Sequence, residues 1–426
     1  MGGGWLISLV LGGVIELCMI GMLALGDLGA NIPIFFVLYA IAGGAYGVGI
    51  WQQKKMSLLF IWVFAVVFRV TLLFSMPSLS DDIFRYVWDG RVLAHGINPY
   101  LYPPNSEALM FLRDSSIYPH INHPYLPTIY PPVAQFFFVT IYGIFQSIYG
   151  FKLVIILCDL VLGVLLLKLL HRQGKASQAV LVYLWHPLVV IEGAGSGHMD
   201  FLGVLILMLV LWMWYVKRDT WAFVGLAGAV LVKFLPIVFM PVLVRWSNKW
   251  FPQNWKSILW LPIILVGGYL PFVMMGGPLW GSLGTYTANW AFNSPVFWIM
   301  KTFLGDGLLA RKVIGGMFIV FVLIVSFFRY TPLAAGFMIV AGFVILTPTL
   351  HPWYLVWFIP FLVFYPRYCW IGFSLMVVLA YEVLIRYRSD GIWEESGWVW
   401  GIEFGTLLVL GGIGYVWQRM TKCCMS

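Results

Sequence analysis

Residues 152–170 read KLVIILCDLVLGVLLLKLL, nineteen residues of which three are charged. A helix of about 20 apolar residues crosses the hydrocarbon core of a bilayer, so this run predicts a membrane span. Runs of the same kind recur from Trp5 to Trp417, near residues 5–25, 32–51, 57–75, 177–192, 200–216, 221–232, 235–245, 257–275, 313–328, 332–347, 352–366, 369–386 and 398–417. Some are short and can merge or tilt. The whole chain agrees: 62% of its 426 residues are apolar, 10% are charged, and the mean hydropathy is +0.91. Soluble domains carry roughly half apolar and a quarter charged residues, which excludes that class. The expected fold is an all-α polytopic integral membrane protein of 13 to 14 transmembrane helices, residues 1–426 forming a single domain.

The net charge of +8 does not point to nucleic acid; in a membrane protein it is read by position. With the N-terminus inside, 14 of the 25 basic residues fall in short cytoplasmic loops: Lys54, Lys55, Lys168, Arg172, Lys175, Lys217, Arg218, Arg245, Lys249, Lys256, Arg329, Arg367, Arg419 and Lys422. The opening MGGGWLISLV lacks a basic n-region and reads as a retained helix. Five cysteines (Cys18, Cys158, Cys369, Cys423, Cys424) show neither metal spacing nor a disulfide framework.

Two outward segments, 76–150 and 276–312, are too long to be connectors, and loops of that length usually carry function. The first opens with an expected helix over Asp81 to His95, with Ser80 as N-cap and Gly96 as stop. It continues as alternating Pro and Tyr from Pro99 to Pro132, which no spanning helix tolerates. The apolar run from Val133 to Tyr149 would invert the later basic loops if it spanned, so an interfacial or re-entrant helix is expected there.

The densest polar cluster is Ser80-Asp81-Asp82-Ile83-Phe84-Arg85-Tyr86-Val87-Trp88-Asp89-Gly90-Arg91. On a helix Asp82, Arg85 and Asp89 share one face. A solvated helix face gives the same spacing, but this one sits at a membrane boundary in a chain with only 17 acids, which favours a functional role. A second cluster combines His186, Glu192, His198 and Asp200 around GSGHMD, at a depth where ionisable groups normally face a cavity or partner. Lys233 in LVKFLP, and His351 with Tyr354 in LHPWY, lie at further outer helix ends; snorkelling and interfacial anchoring are their structural alternatives. No nucleotide-binding, zinc or nucleophile-elbow pattern occurs. Acids and cations gathered under an outer membrane face suit group transfer from a lipid phosphate, a carboxylate taking a proton and cations holding the departing phosphate.

The blocks SDDIFRYVWDGRVLAHGINPY, YPPVAQ, HPLVVIEGAGSGHMD, LVKFLP and HPWYLVWFIPFL resemble the marks of GT-C glycosyltransferases, and most nearly the bacterial polyprenyl-phosphate-mannose-dependent α-mannosyltransferases. They span about two thirds of the chain. The resemblance implies a large first external loop bearing the catalytic aspartate, a polyprenyl-phosphate sugar donor, a glycan or glycolipid acceptor, and inversion at the anomeric carbon. Carried over, Asp81 becomes the favoured general base and Asp82 its support. Arg85, Asp89, Arg91, Glu192, His198, Asp200, Lys233, His351 and Tyr354 become the substrate-binding candidates, with Arg91, Lys233 and His351 for the phosphate. Members differ in using a divalent metal, and the residues leave that open. The expected setting is a bacterial inner membrane, with the active site outside. A transporter or flippase of lipid-linked saccharides is the alternative, but no inverted repeat supports it.

Overall fold

The computed structural model describes residues 4–246, 255–328 and 330–423, and the side chains of these up to residue 414 except Trp246 and Trp255. Lys249, Arg329 and Cys424 lie outside them, as do the side chains of Arg419, Lys422 and Cys423. Among the described residues there is no β-strand, and one isolated bridge joins Phe292 to Thr349.

The protein is an all-α polytopic membrane protein. Among the described residues, seven helices are long and apolar enough to cross a bilayer: Gly4–Leu25, Ile32–Lys55, Ile148–Arg172, Lys256–Met274, Gly307–Phe327, Tyr368–Asp390 and Gly397–Gly414. Pro187–Gly195 and Asp200–Tyr215 make a further, broken pair bent by 120°, where two separate spans were expected. Other expected spans are shorter apolar helices, such as Leu58–Leu73, Asp219–Val232 and Pro332–Leu346. The expected span at 352–366 is a 3-10 stretch, Pro352–Trp357, followed by one α-turn, Ile359–Leu362. Proline explains much of the fragmentation, since Pro187, Pro236, Pro352 and Pro360 each stand at the first or second position of a new short helix.

The first six helices are α1 (Gly4–Leu25), α2 (Ile32–Gln52), α3 (Leu58–Leu73), α4 (Asp82–Ala94), α5 (Pro132–Phe145) and α6 (Ile148–Arg172). Between α3 and α6 a buried pair crosses the bundle. The Arg69 guanidinium donates to both Asp159 oxygens, at 2.5 and 3.2 Å, and to the carbonyls of Ala65 and Leu184. Tyr183 donates a third bond to Asp159, at 2.6 Å. Lys152 is equally buried and donates to the carbonyls of Leu72 and Ser75. Charges at this depth persist because every one of them is answered.

The long first loop has its own packing. Asp81, not Ser80, occupies the N-cap position of α4 and makes no capping bond; the Ser80 hydroxyl instead accepts from the Asp82 amide at 3.4 Å. Gly96 ends the helix region in left-handed geometry, φ +74. α5 opens on Pro132 and closes at Gln146 in left-handed geometry, after which Ser147 caps α6. α4 and α5 pack so closely at Gly90 that a Cβ there would lie 2.6 Å from the Phe138 carbonyl oxygen. Ile83, Val87, Trp88, Leu109, Leu112 and Phe138 form a small core under the loop, joined to the bundle through Met199 and Val232. The second long loop docks on the first: Asn98 donates to the carbonyls of Phe272 and Gly276, and the Thr128 carbonyl accepts from Ser282.

Candidate active site

The site forms where α4 meets the apex of the broken helix pair. After Pro187 the chain runs as an α-turn and then a π-turn, Ile191–Gly195, before Gly197 adopts φ +74. A π-turn widens the helix and redirects its side chains, and such turns are frequent at functional sites. Here it aims Glu192 and the following His198 at one another, with Nε2 3.3 Å from Oε2. Gly197 fits between α4 and α6, since a Cβ would meet Ile83 at 2.6 Å and Lys152 at 3.0 Å.

Asp82, in the first turn of α4, stands on the other side of His198, its Oδ2 3.8 Å from Nδ1. Its second oxygen accepts from Asn122 at 3.2 Å. The three groups differ in access: 23% of the Asp82 side chain is open, against 1% for His198 and none of Glu192. Glu192 also accepts from Tyr381 at 2.7 Å. A carboxylate at the opening, backed by a buried imidazole and a second carboxylate, can receive a proton from a bound hydroxyl.

The cations lie across the same apex. Lys233 Nζ sits 2.5 Å from Asp200 and 4.3 Å from the centre of the Tyr354 ring, with 28% of its side chain open. Asp200 accepts from Trp357 as well, at 2.5 Å. Trp353 is stacked between His198 and His351, at 4.3 and 4.2 Å between ring centres, and Phe292 backs His351. From the second loop Tyr286 reaches the Tyr354 hydroxyl at 2.8 Å. Burial foremost, with the charges of Asp82 and Asp200 adding to it, pushes the Tyr286 hydroxyl up to about 12, so it stays a neutral donor at physiological pH.

The structure therefore brings together Asp82, Glu192, His198, Asp200, Lys233, His351 and Tyr354 from five separate segments. It does not bring Asp81, Arg85, Asp89 or Arg91 with them. Asp81 lies toward Arg388, His120 and Asp27; partial enclosure and the adjacent Asp82 charge raise its carboxyl above the usual range, although the residue is exposed. Arg85 is buried in a pair with Asp89 at 2.8 Å and donates to the Leu126 carbonyl, while Gln135 donates to Asp89. Arg91, at the far end of α4, donates to the Leu112 carbonyl and to Asp114 at 2.6 Å. Against an opposing desolvation, Arg91 and the amides of Ile117 and Tyr118 hold Asp114 well below the usual carboxylate range. These residues brace the loop.

Sequence reading missed Asn122, Tyr286, Trp353, Trp357 and Tyr381. Trp353 and Trp357 stood inside the LHPWY run and its continuation, and an aromatic beside a histidine was the available signal. Asn122, Tyr286 and Tyr381 carried none. Among the described residues, no group of three His, Cys, Asp or Glu side chains is arranged to hold a metal ion.

The loop-bearing end of this helical membrane protein thus gathers carboxylates, a lysine and stacked aromatics. Residues 34–248, half of the chain, match the MptA_B family, described as alpha-(1->6)-mannopyranosyltransferase, N-terminal domain, and the chain belongs to that family. It is a mannosyltransferase, and the family implies a sugar donor and a glycan acceptor. The match takes in Asp82, Glu192, His198, Asp200 and Lys233, whereas His351 and Tyr354 lie beyond it. No curated protein and no solved structure matches the chain.

Proposed function

We propose that the protein moves mannose from polyprenyl phosphate to a hydroxyl of a glycan or glycolipid at the non-cytoplasmic face, inverting the anomeric carbon, with Asp82 as general base. The observation that carries this reading is the position of Asp82, partly open at the apex and backed by the buried His198–Glu192 pair. In the reaction the acceptor oxygen bonds to the anomeric carbon as the bond from that carbon to the phosphate oxygen breaks. The acceptor proton passes to Asp82, and polyprenyl phosphate leaves as an anion. Such proton transfer is typically worth about 10²-fold to 10⁴-fold. Lys233, shared with Asp200, supplies the cation for the departing phosphate, and Tyr286 with Tyr354 supplies hydroxyl donors. Trp353, stacked on by both His198 and His351, holds the two imidazoles in place at the apex. Asp81 was favoured over Asp82 on the sequence; the geometry supports the reverse assignment. Incubating the purified protein with a panel of polyprenyl-phosphate sugars and following release of polyprenyl phosphate tests the donor. Release from the mannosyl donor alone supports the reading; release from none of them removes it.

A further inference from the structure

At the opposite end of the bundle from Asp82, α6 finishes in a stripe that changes character along its length. Val164 and Leu167 come first, then Lys168, His171 and Arg172 in the last turns, all on one helix face by their three- and four-residue spacing. This stripe lines a groove of about 620 Å³. Trp62 from α3 and Trp212 near the end of the Asp200–Tyr215 helix form the remaining lining, so it contains no acid. Lys168, His171 and Arg172 are all exposed. Arg172 lies 5.7 Å from the centre of the Trp212 ring, His171 bonds Ser177 at 2.9 Å, and Lys168 has no side-chain partner among the described residues.

The structure assigns this groove, we propose, as a binding site for an anionic phospholipid of the leaflet away from Asp82. The order of side chains matches the order of groups in such a lipid. Apolar walls lie deeper in the membrane, where acyl chains run, and basic groups form the rim at the level of a phosphate. Tryptophans on the two neighbouring helices sit where the aromatic belt of a membrane protein meets the headgroups. Basic pockets between transmembrane helices attract anionic headgroups, and the volume lies in the range of small-molecule sites. The lipid-linked sugar is not the occupant. Lys152 packs beside Gly197 at the apex, and Arg172 follows twenty residues later on the same helix, about 30 Å away.

The test is native mass spectrometry of the full-length protein with phosphatidylglycerol and phosphatidylcholine of identical acyl chains. Preferential retention of phosphatidylglycerol is expected, falling about 30-fold in Lys168→Gln/Arg172→Gln, the effect of two basic groups on anionic-lipid attraction. Val164→Trp should reduce retention with the charges intact, by filling the groove. Equal retention of the two lipids, unchanged retention in either variant, or full displacement by inorganic phosphate would overturn the assignment. The readout is lipid retention alone, so it stands or falls independently of the proposed donor and base.

Discussion

Asp82 and His198 face each other across 3.8 Å, and behind His198 the Glu192 carboxylate stands 3.3 Å from its other ring nitrogen. The line from opening to interior thus runs carboxylate, imidazole, carboxylate, with access falling at each step. Asp81 is adjacent in sequence and lies within electrostatic reach of Arg388, His120 and Asp27. Asp81 stands ahead of α4 as its N-cap residue and Asp82 is the first helical residue, so the two side chains leave different backbone conformations.

Lys233 and Asp200 form the second relationship of the site, and it separates binding from structure. Lys233→Met alone leaves Asp200 as a nearly buried carboxylate without its cation, which should lower both thermal stability and turnover. Adding Asp200→Asn should restore stability. If Lys233 holds the donor phosphate, the double variant stays at least tenfold slower than wild type; recovery of full turnover would assign Lys233 to the ion pair alone.

The Arg69–Asp159 pair should behave differently, because it lies deep in the bundle with both side chains fully buried. Arg69→Met strands a buried carboxylate and is expected to destabilise by about 3–5 kcal/mol. Arg69→Met/Asp159→Leu removes both charges and should regain most of that. Thermal unfolding in detergent compares the variants, and a double variant as unstable as the single would show that the pair fixes helix positions by more than charge.

Arg91 and Asp114 tie the end of α4 to the loop, and the sign of their pH dependence follows from the depressed Asp114 carboxyl. Its stabilisation is fully present above the ordinary carboxylate value of 3.8 and is lost as pH falls through the lower folded value. The pair is partly exposed, so Arg91→Gln should cost about 1 kcal/mol or less at neutral pH. On acidification below about pH 4, the wild-type unfolding midpoint should fall more than that of Asp114→Asn. Parallel acid profiles of the two proteins would argue against the pair as the cause.

Much of this was legible from patterning. Apolar runs placed the helices, and scarcity of charge drew the eye to SDDIFRYVWDGR, GSGHMD, LVKFLP and LHPWY, each of which sends at least one residue to the apex. Other features had no sequence signal. The π-turn at Ile191–Gly195 comes from packing, not composition, and nothing in the sequence tells which of Asp81 and Asp82 faces the apex. Arg91 reads as a phosphate ligand because it lies in the cluster, yet a 13-residue helix carries it to the far end. Span counting treated 177–192, 200–216 and 352–366 as straight rods, whereas prolines and the apex break them into the walls of the site.

Orientation rests on the basic loops and has a direct check. Ser106→Cys in the first long loop and Ser177→Cys after α6 should label with an impermeant thiol reagent from opposite sides of the membrane. Labelling of both from one side would remove the external placement of the site.

Asp82 is the proposed proton acceptor during mannosyl transfer from polyprenyl phosphate. The decisive measurement is the single-turnover rate of transfer from a radiolabelled mannosyl polyprenyl phosphate by wild type, Asp81→Asn and Asp82→Asn, with folding of each checked by its unfolding midpoint. A loss of about 10²-fold to 10⁴-fold is expected for folded Asp82→Asn and a smaller loss for Asp81→Asn. Near wild-type transfer by Asp82→Asn, or a greater loss in Asp81→Asn, would contradict it.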